Sequence, residues 1–357
     1  MAMIRQRLFW TYAFFISVII AGNLSLALAI DPSAVLFTDS QGRGITVTAM
    51  NSGPTPSADI SQNIINVLPQ SAVMLNNVPT SSWTYGCSAT SAGMMFGYYD
   101  LHGYSNMYTG PYNGGVVPLT DLGNKASIIA TQLGFDGRTT RGHVDDYWIS
   151  SGSQGPDPWQ TNNWTEHTWQ GCTADYMGTN QWKWDFSGDG VKDFNVDGST
   201  ALFSYSGSWG SQKLYDYIPP ASAGLPQTEL CHGLRLFAES RGYSVIENYT
   251  QEINEVYTGG FTFQDYMNEI NNGYPVMIQV TGHSMVGVGY NASDQTVYLH
   301  DTWGDYTASM TWGGSYSGME QQAVTVIHLV PIPEPATLML LSTGVLAMAV
   351  FFFHRRR

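Results

Sequence analysis

Three residues in this chain have the types, order and local settings that acyl-transfer chemistry requires: Cys87, His283 and Asp301. Cys87 lies in Trp83-Thr84-Tyr85-Gly86-Cys87-Ser88-Ala89-Thr90-Ser91-Ala92-Gly93, where a polar, glycine-marked approach runs into small residues of helical character. A thiol at the start of a helix sits among unpaired backbone N–H groups and the positive end of the helix dipole, both of which favour thiolate. Such a nucleophile needs a base, and the base needs a third group to orient it. Among the eight histidines His283 is the best base, because Gly282-His283-Ser284-Met285-Val286-Gly287-Val288-Gly289 enters a core strand with glycines that admit a neighbouring backbone. Tyr298-Leu299-His300-Asp301 ends the next strand. Antiparallel pairing sets the Asp301 acid beside His283, where it fixes the tautomer and steadies the imidazolium. Taken singly, each residue has a plainer role: a small buried hydrophobe, a core histidine, a strand-end cap. The ordered combination points to nucleophilic catalysis. His143 with Asp145 and Asp146 forms a lesser group, read as a solvated loop.

The elements that must position these residues follow from periodicity. Met94, Met95, Tyr98 and Tyr99 fall at helical spacing after Cys87, and Ala89, Ala92 and Gly93 allow close packing, which predicts a central helix. Residues 120–133 read as a helix, 227–241 as an amphipathic helix, and 263–270 as a further helix stopped by Asn271-Asn272-Gly273. Strands are expected at 275–280, 283–290, 296–301, 308–312 and 323–330. Helices followed by a run of antiparallel strands give an α+β fold.

Tyr85-Gly86-Cys87 before a small-residue helix, then Gly282-His283 entering a glycine-rich strand, then Leu299-His300-Asp301-Thr302-Trp303-Gly304, resembles the papain-like cysteine peptidases. The nearest likeness is to the C39-like family typified by bacteriocin-leader peptidases. The resemblance spans residues 78–330 in order. It implies a papain-like fold, a central nucleophile helix on an antiparallel sheet, with Cys87 as nucleophile, His283 as general base and acid, and Asp301 as orienting residue. The implied substrate is a peptide or protein, and no cofactor is required. One departure stands out: the family usually has a glutamine a few residues before the cysteine to donate to the oxyanion, and this chain has Ser81, Ser82 and Trp83 there. Loss of one such donor typically costs about 2.7 to 4 kcal/mol of transition-state stabilisation. The alternative is a catalytically degenerate protein that binds exopolysaccharide at the cell surface.

Both ends read as addresses. Arg5 and Arg7 precede an apolar run, and Ala27-Leu28-Ala29 supplies small residues for signal peptidase, so residues 1–29 read as a signal peptide. Residues 336–353 would span about 27 Å as a helix, close to a bilayer's hydrocarbon thickness. Pro333-Glu334-Pro335 precedes that span and Arg355-Arg356-Arg357 follows it, so residues 331–357 resemble the PEP-CTERM sorting signal of Gram-negative bacteria. That resemblance implies transient anchoring in the inner membrane, cleavage by an exosortase, and an end state at the cell surface or outside the cell. Without the two terminal segments, nine basic residues stand against 27 acidic ones, a net charge of −18. Such a surface repels nucleic acid, which is not expected as a partner.

Between the ends, residues 30–77 show no strong period and read as an N-terminal extension, either laid over the catalytic domain or removable. Residues 150–226 form a loop-rich insertion, and seven of the eleven tryptophans fall between Trp148 and Trp209, aromatic faces that could meet sugar rings. Within the insertion Asp185, Ser187, Asp189, Val191 and Asp193 fall at calcium-loop offsets with Gly190 at the turn, although Val196 replaces the usual glutamate. A structural Ca2+ and a plain Asx-rich turn are both open readings there. Three cysteines in an exported chain leave at least one outside a disulfide, and Cys172 with Cys231 is the expected pair.

Overall fold

A computed structural model describes residues 37–84, 86–108, 116–117, 119, 128, 172–179, 198–219 and 229–331. The signal and sorting segments, residues 120–127 and 129–133, His143, Asp145, Asp146 and the calcium-type loop at 185–193 lie outside the described residues. So do six of the seven clustered tryptophans, all but Trp209. In chain order the elements are β1 (Phe37–Thr38), β2 (Gly44–Met50), β3 (Val73–Met74), α1 (Cys87–Leu101), α2 (Thr173–Met177), β4 (Thr200–Tyr205) and β5 (Leu214–Tyr215). Then come α3 (Leu230–Ser240), β6 (Tyr243–Glu252), α4 (Phe263–Asn271), β7 (Val276–Val280), β8 (His283–Asn291), β9 (Thr296–His300), β10 (Ala308–Thr311), β11 (Ser315–Tyr316) and β12 (Met319–Pro331).

The fold is α+β. The main sheet runs β10-β9-β8-β7-β12-β6-β5 with antiparallel pairing throughout, and β3 adds to β8 while β11 adds to β12. A smaller sheet of order β1-β2-β4 stands apart. Adjacent residues of each strand face opposite ways, so β7 sends Val276, Ile278 and Val280 into one apolar cluster and Met277 into another. α1 packs on β8, while α2 lies between α1 and α3.

Local chemistry explains the helix starts. Glu229 accepts hydrogen bonds from the backbone N–H groups of Cys231 and His232 and so caps α3. Thr262 and Asp265 close a reciprocal capping box on α4. α1 departs from the one-sided pattern expected of a surface helix: every residue from Cys87 to Asp100 is buried, because the sheet, α2, α3 and the segment around Pro79 surround it. The expected Cys172–Cys231 disulfide is not formed in this structure. Among the described residues no helix is long and apolar enough to cross a membrane.

Candidate active site

Cys87 is the first residue of α1, and its loop is fixed from two directions. The Thr90 hydroxyl donates to the Gly86 carbonyl at 2.8 Å and accepts from the Thr84 backbone N–H at 3.0 Å, folding the approach onto the first turn. Gly86 has a φ of 120°, and a Cβ there would come within 2.4 Å of the Gly198 carbonyl oxygen. Gly198 in turn, with a φ of 76°, could not carry a Cβ without meeting Gly86 N at 2.8 Å. The two glycines pack backbone to backbone, an approach and a conformation that residues with side chains do not tolerate.

The helix is then joined to β8 by hydroxyl groups. Ser91 donates to the Ser284 carbonyl at 3.1 Å, and the Ser88 and Ser284 hydroxyls are 2.7 Å apart. Ser284 donates to Gln279 Oε1 at 2.7 Å, Gln279 Nε2 donates to Thr325 at 3.0 Å, and Thr325 meets Thr250 at 3.2 Å. This buried chain runs from the nucleophile helix across β8, β7, β12 and β6. It satisfies hydroxyl and amide groups that would otherwise be costly to bury.

The Cys87 thiol is tied to β8 at Ser284, the residue that follows His283, whose backbone hydrogen-bonds the sulfur. Burial pushes the Cys87 thiol above its ordinary range, and hydrogen bonding from the Ser284 backbone and from Ser88 works against that rise. His283 Nε2 lies 2.9 Å from the backbone carbonyl of Asp301. A carbonyl only accepts, so Nε2 carries the proton and Nδ1 is the basic nitrogen of the neutral ring. Nδ1 is buried and has no hydrogen-bond partner. Burial lowers the pKa of His283 to about 4, partly countered by the hydrogen bond to Asp301. Burial thus favours the neutral form of both the thiol and the imidazole, and both residues are 0 % exposed.

Asp301 orients the ring differently from the expectation above. Its main chain, not its acid, holds His283. The carboxylate instead accepts from the Trp303 backbone N–H at 3.0 Å, Tyr306 at 3.0 Å and Tyr316 at 2.7 Å. Burial raises the Asp301 pKa, and these three hydrogen bonds oppose the rise. They shape the turn after β9, where Thr302 adopts a φ of 70°, an uncommon conformation for a β-branched residue. The turn lays the Trp303 ring flat on the His283 ring, with centroids 4.1 Å apart and planes 7° apart. Sequence reasoning missed Trp303, Ser284 and Gln279 as site residues. The pairing of Trp303 with Asp301 two positions earlier was the available signal for the first.

The remaining described histidines belong elsewhere. His300 Nδ1 contacts the Pro79 carbonyl, His102 Nδ1 the Tyr98 carbonyl, His232 Asp216, and His328 Glu269. Among the described residues no group of three metal-ligating side chains converges.

Residues 206–324 match the Peptidase_C39 like family. This C39-like stretch runs from just before β5 into β12 and contains both His283 and Asp301, whereas Cys87 lies upstream of it. Residues 331–357 match the PEP-CTERM protein-sorting motif, which marks export in Gram-negative bacteria with processing by an exosortase. No curated protein and no solved structure matches the chain. A C39-like domain with a PEP-CTERM motif makes this an exported, peptidase-like protein.

Proposed function

We propose that the protein is an exported cysteine peptidase of papain-like architecture that hydrolyses peptide bonds through Cys87 and His283 and is released to the cell surface or beyond. The observation that carries the reading is the juxtaposition at Ser284. A thiol at a helix N-terminus lies against the backbone next to an imidazole whose Nε2 proton is held by the Asp301 carbonyl and whose Nδ1 has no hydrogen-bond partner.

The chemistry follows from that tautomer. His283 Nδ1 takes the Cys87 proton as Sγ forms a bond to the substrate carbonyl carbon, and the oxyanion develops near the first-turn N–H groups of α1. The imidazolium then returns the proton to the leaving amine as the C–N bond breaks, leaving a thioester. Water, deprotonated by Nδ1, attacks that thioester, and the proton passes back to the thiol as the acid product leaves. Asp301 acts as a positioning residue through its carbonyl, and Trp303 fixes the plane of the ring. The exopolysaccharide-binding alternative rests on clustered tryptophans of which only Trp209, a single exposed ring, is described.

Labelling with a thiol-reactive probe across pH, mapped by peptide mass on chains cut between Thr55 and Pro56 so that the buried thiol can be reached, tests the pair in wild type and His283→Ala. An activated Cys87 labels well below the pH of an ordinary thiol, and that reactivity disappears in His283→Ala. Labelling that follows an ordinary thiol titration in both proteins would rule the peptidase reading out.

A further inference from the structure

The N-terminal segment crosses the candidate site. Trp83, four residues before the thiol, donates its indole N–H to the Ser52 carbonyl at 3.0 Å, and Trp303, stacked on His283, donates to the Gly53 carbonyl at 2.9 Å. The same segment gives the Asn51 and Ser52 backbone N–H groups to the carbonyl of Gly282, the residue before His283, both at 2.9 Å. Gly282 has a φ of 76°, and a Cβ on it would lie 3.0 Å from the Asn51 side chain. Thus three consecutive residues of the chain lie against both tryptophans and the histidine strand, held almost wholly through main-chain groups.

Contacts of that kind suit a peptide of any sequence, since the backbone supplies the recognition. We propose that Trp83 and Trp303 form a clamp for the backbone of an extended peptide substrate, and that Asn51-Ser52-Gly53 fills this clamp so that the folded chain blocks its own site. The proposal rests on the peptidase reading above and names the substrate class: unfolded or extended polypeptide, gripped at two adjacent carbonyls. The complete burial of Cys87 and His283 accords with a closed site. Upstream, β2 anchors the segment by pairing with β4. Downstream, Pro54, Thr55 and Ser57 are exposed, a place where a cut would free the Gly53 end.

The test places the recognition sequence of a site-specific protease between Thr55 and Pro56 of the full chain. The rate of Cys87 alkylation by iodoacetamide, resolved from Cys172 and Cys231 by peptide mapping, and the hydrolysis of a fluorogenic peptide mixture are measured before and after cutting. Cutting is expected to raise Cys87 labelling about tenfold or more, as a shift in the open population of that size requires, and to start hydrolysis. Trp83→Phe and Trp303→Phe keep the rings and remove the donors. Each is expected to raise labelling of the uncut chain, and in the cut chain to raise KM more than it lowers kcat. Labelling unchanged by cutting and by both substitutions would overturn the self-block. Hydrolysis by the uncut chain at the cut rate would overturn it while leaving the peptidase reading in place. Faster labelling with no hydrolysis of any peptide would uphold the self-block and overturn the peptidase reading.

Discussion

On the α1 side of the large sheet, alternate residues of β7, β8 and β12 supply Gln279, Ser284 and Thr325, joined in a line of hydrogen bonds to the helix that bears Cys87. On the α4 side, their sequence neighbours Ile278, Met285 and Val324 pack with Phe263, Tyr266 and Trp312. The Tyr266 and Trp312 rings stack at 5.5 Å, and Tyr266 spends its hydroxyl on the Gly289 carbonyl. One face carries a line of side-chain polar atoms matched to one another, and the other is filled mainly by apolar volume. The difference teaches where function and stability have been separated within the same strands: apolar packing tolerates exchange of similar shapes, whereas a buried polar line does not.

The sharpest break between the faces comes from removing a reacting group. Cys87→Ala or His283→Ala is expected to lower peptide hydrolysis about 10³-fold or more, read from initial rates of the opened enzyme. Either variant retaining hydrolysis within about tenfold of wild type would remove the chemical assignment from the α1 side. Next, Tyr266→Ala is expected to lose about 3 to 5 kcal/mol of stability in urea titration, while Cys87 labelling in the folded protein keeps its rate. A change in labelling as large as the change in stability would show that the faces are not separable.

The pH dependence adds a third measure, confined to the α1 side. The folded pKa of His283 is about 4, below the ordinary value of 6.5, so the unfolded chain takes up the proton first as pH falls. Its contribution to stability is intact above pH 6.5 and is lost as pH falls from 6.5 to about 4. Denaturation midpoints should decline over that window in wild type and less in His283→Gln, and identical slopes would refute the assignment. The smallest contrast compares neighbours on β7. Gln279→Met breaks the polar line and is expected to cost about 1 to 3 kcal/mol and to slow hydrolysis. Ile278→Val, facing α4, is expected to cost about 0.5 to 1.5 kcal/mol and to leave hydrolysis unchanged.

Much of this organisation was legible in the sequence because the relevant signals are local. Strands β7, β8, β9, β10 and β12 alternate or run apolar between turn residues, and α3 and α4 carry apolar stripes with caps, so their existence and order could be read directly. At the candidate site Cys87 lies against Ser284 and His283 against Asp301, and the manner of the second contact was not readable. Asp301 holds His283 through a carbonyl, a group every residue has, so nothing in its side chain announces the contact. β2 and β4 escaped notice because they pair with each other across 150 or more positions, and neither alternates cleanly between buried and exposed residues. α1 was read as a helix from the spacing of Met94, Met95, Tyr98 and Tyr99, whereas its enclosure on all sides, with Cys87 to Asp100 all buried, was not. The two tryptophan donors likewise meet acceptors far away in sequence, which no spacing rule reveals.

The contact between Gly86 and Gly198 ties the loop before the thiol to the residues that lead into β4. A Cβ on Gly86 would strike the Thr179 side chain at 2.9 Å as well as the Gly198 carbonyl, so Thr179 and Gly198 both lie against the same glycine. A methyl group on either glycine has to push on the backbone that carries Cys87. Gly86→Ala and Gly198→Ala should each lower the melting temperature and change the rate at which Cys87 is labelled. The station of the thiol is thus held by two bare backbones, and neither position can vary without the other giving way.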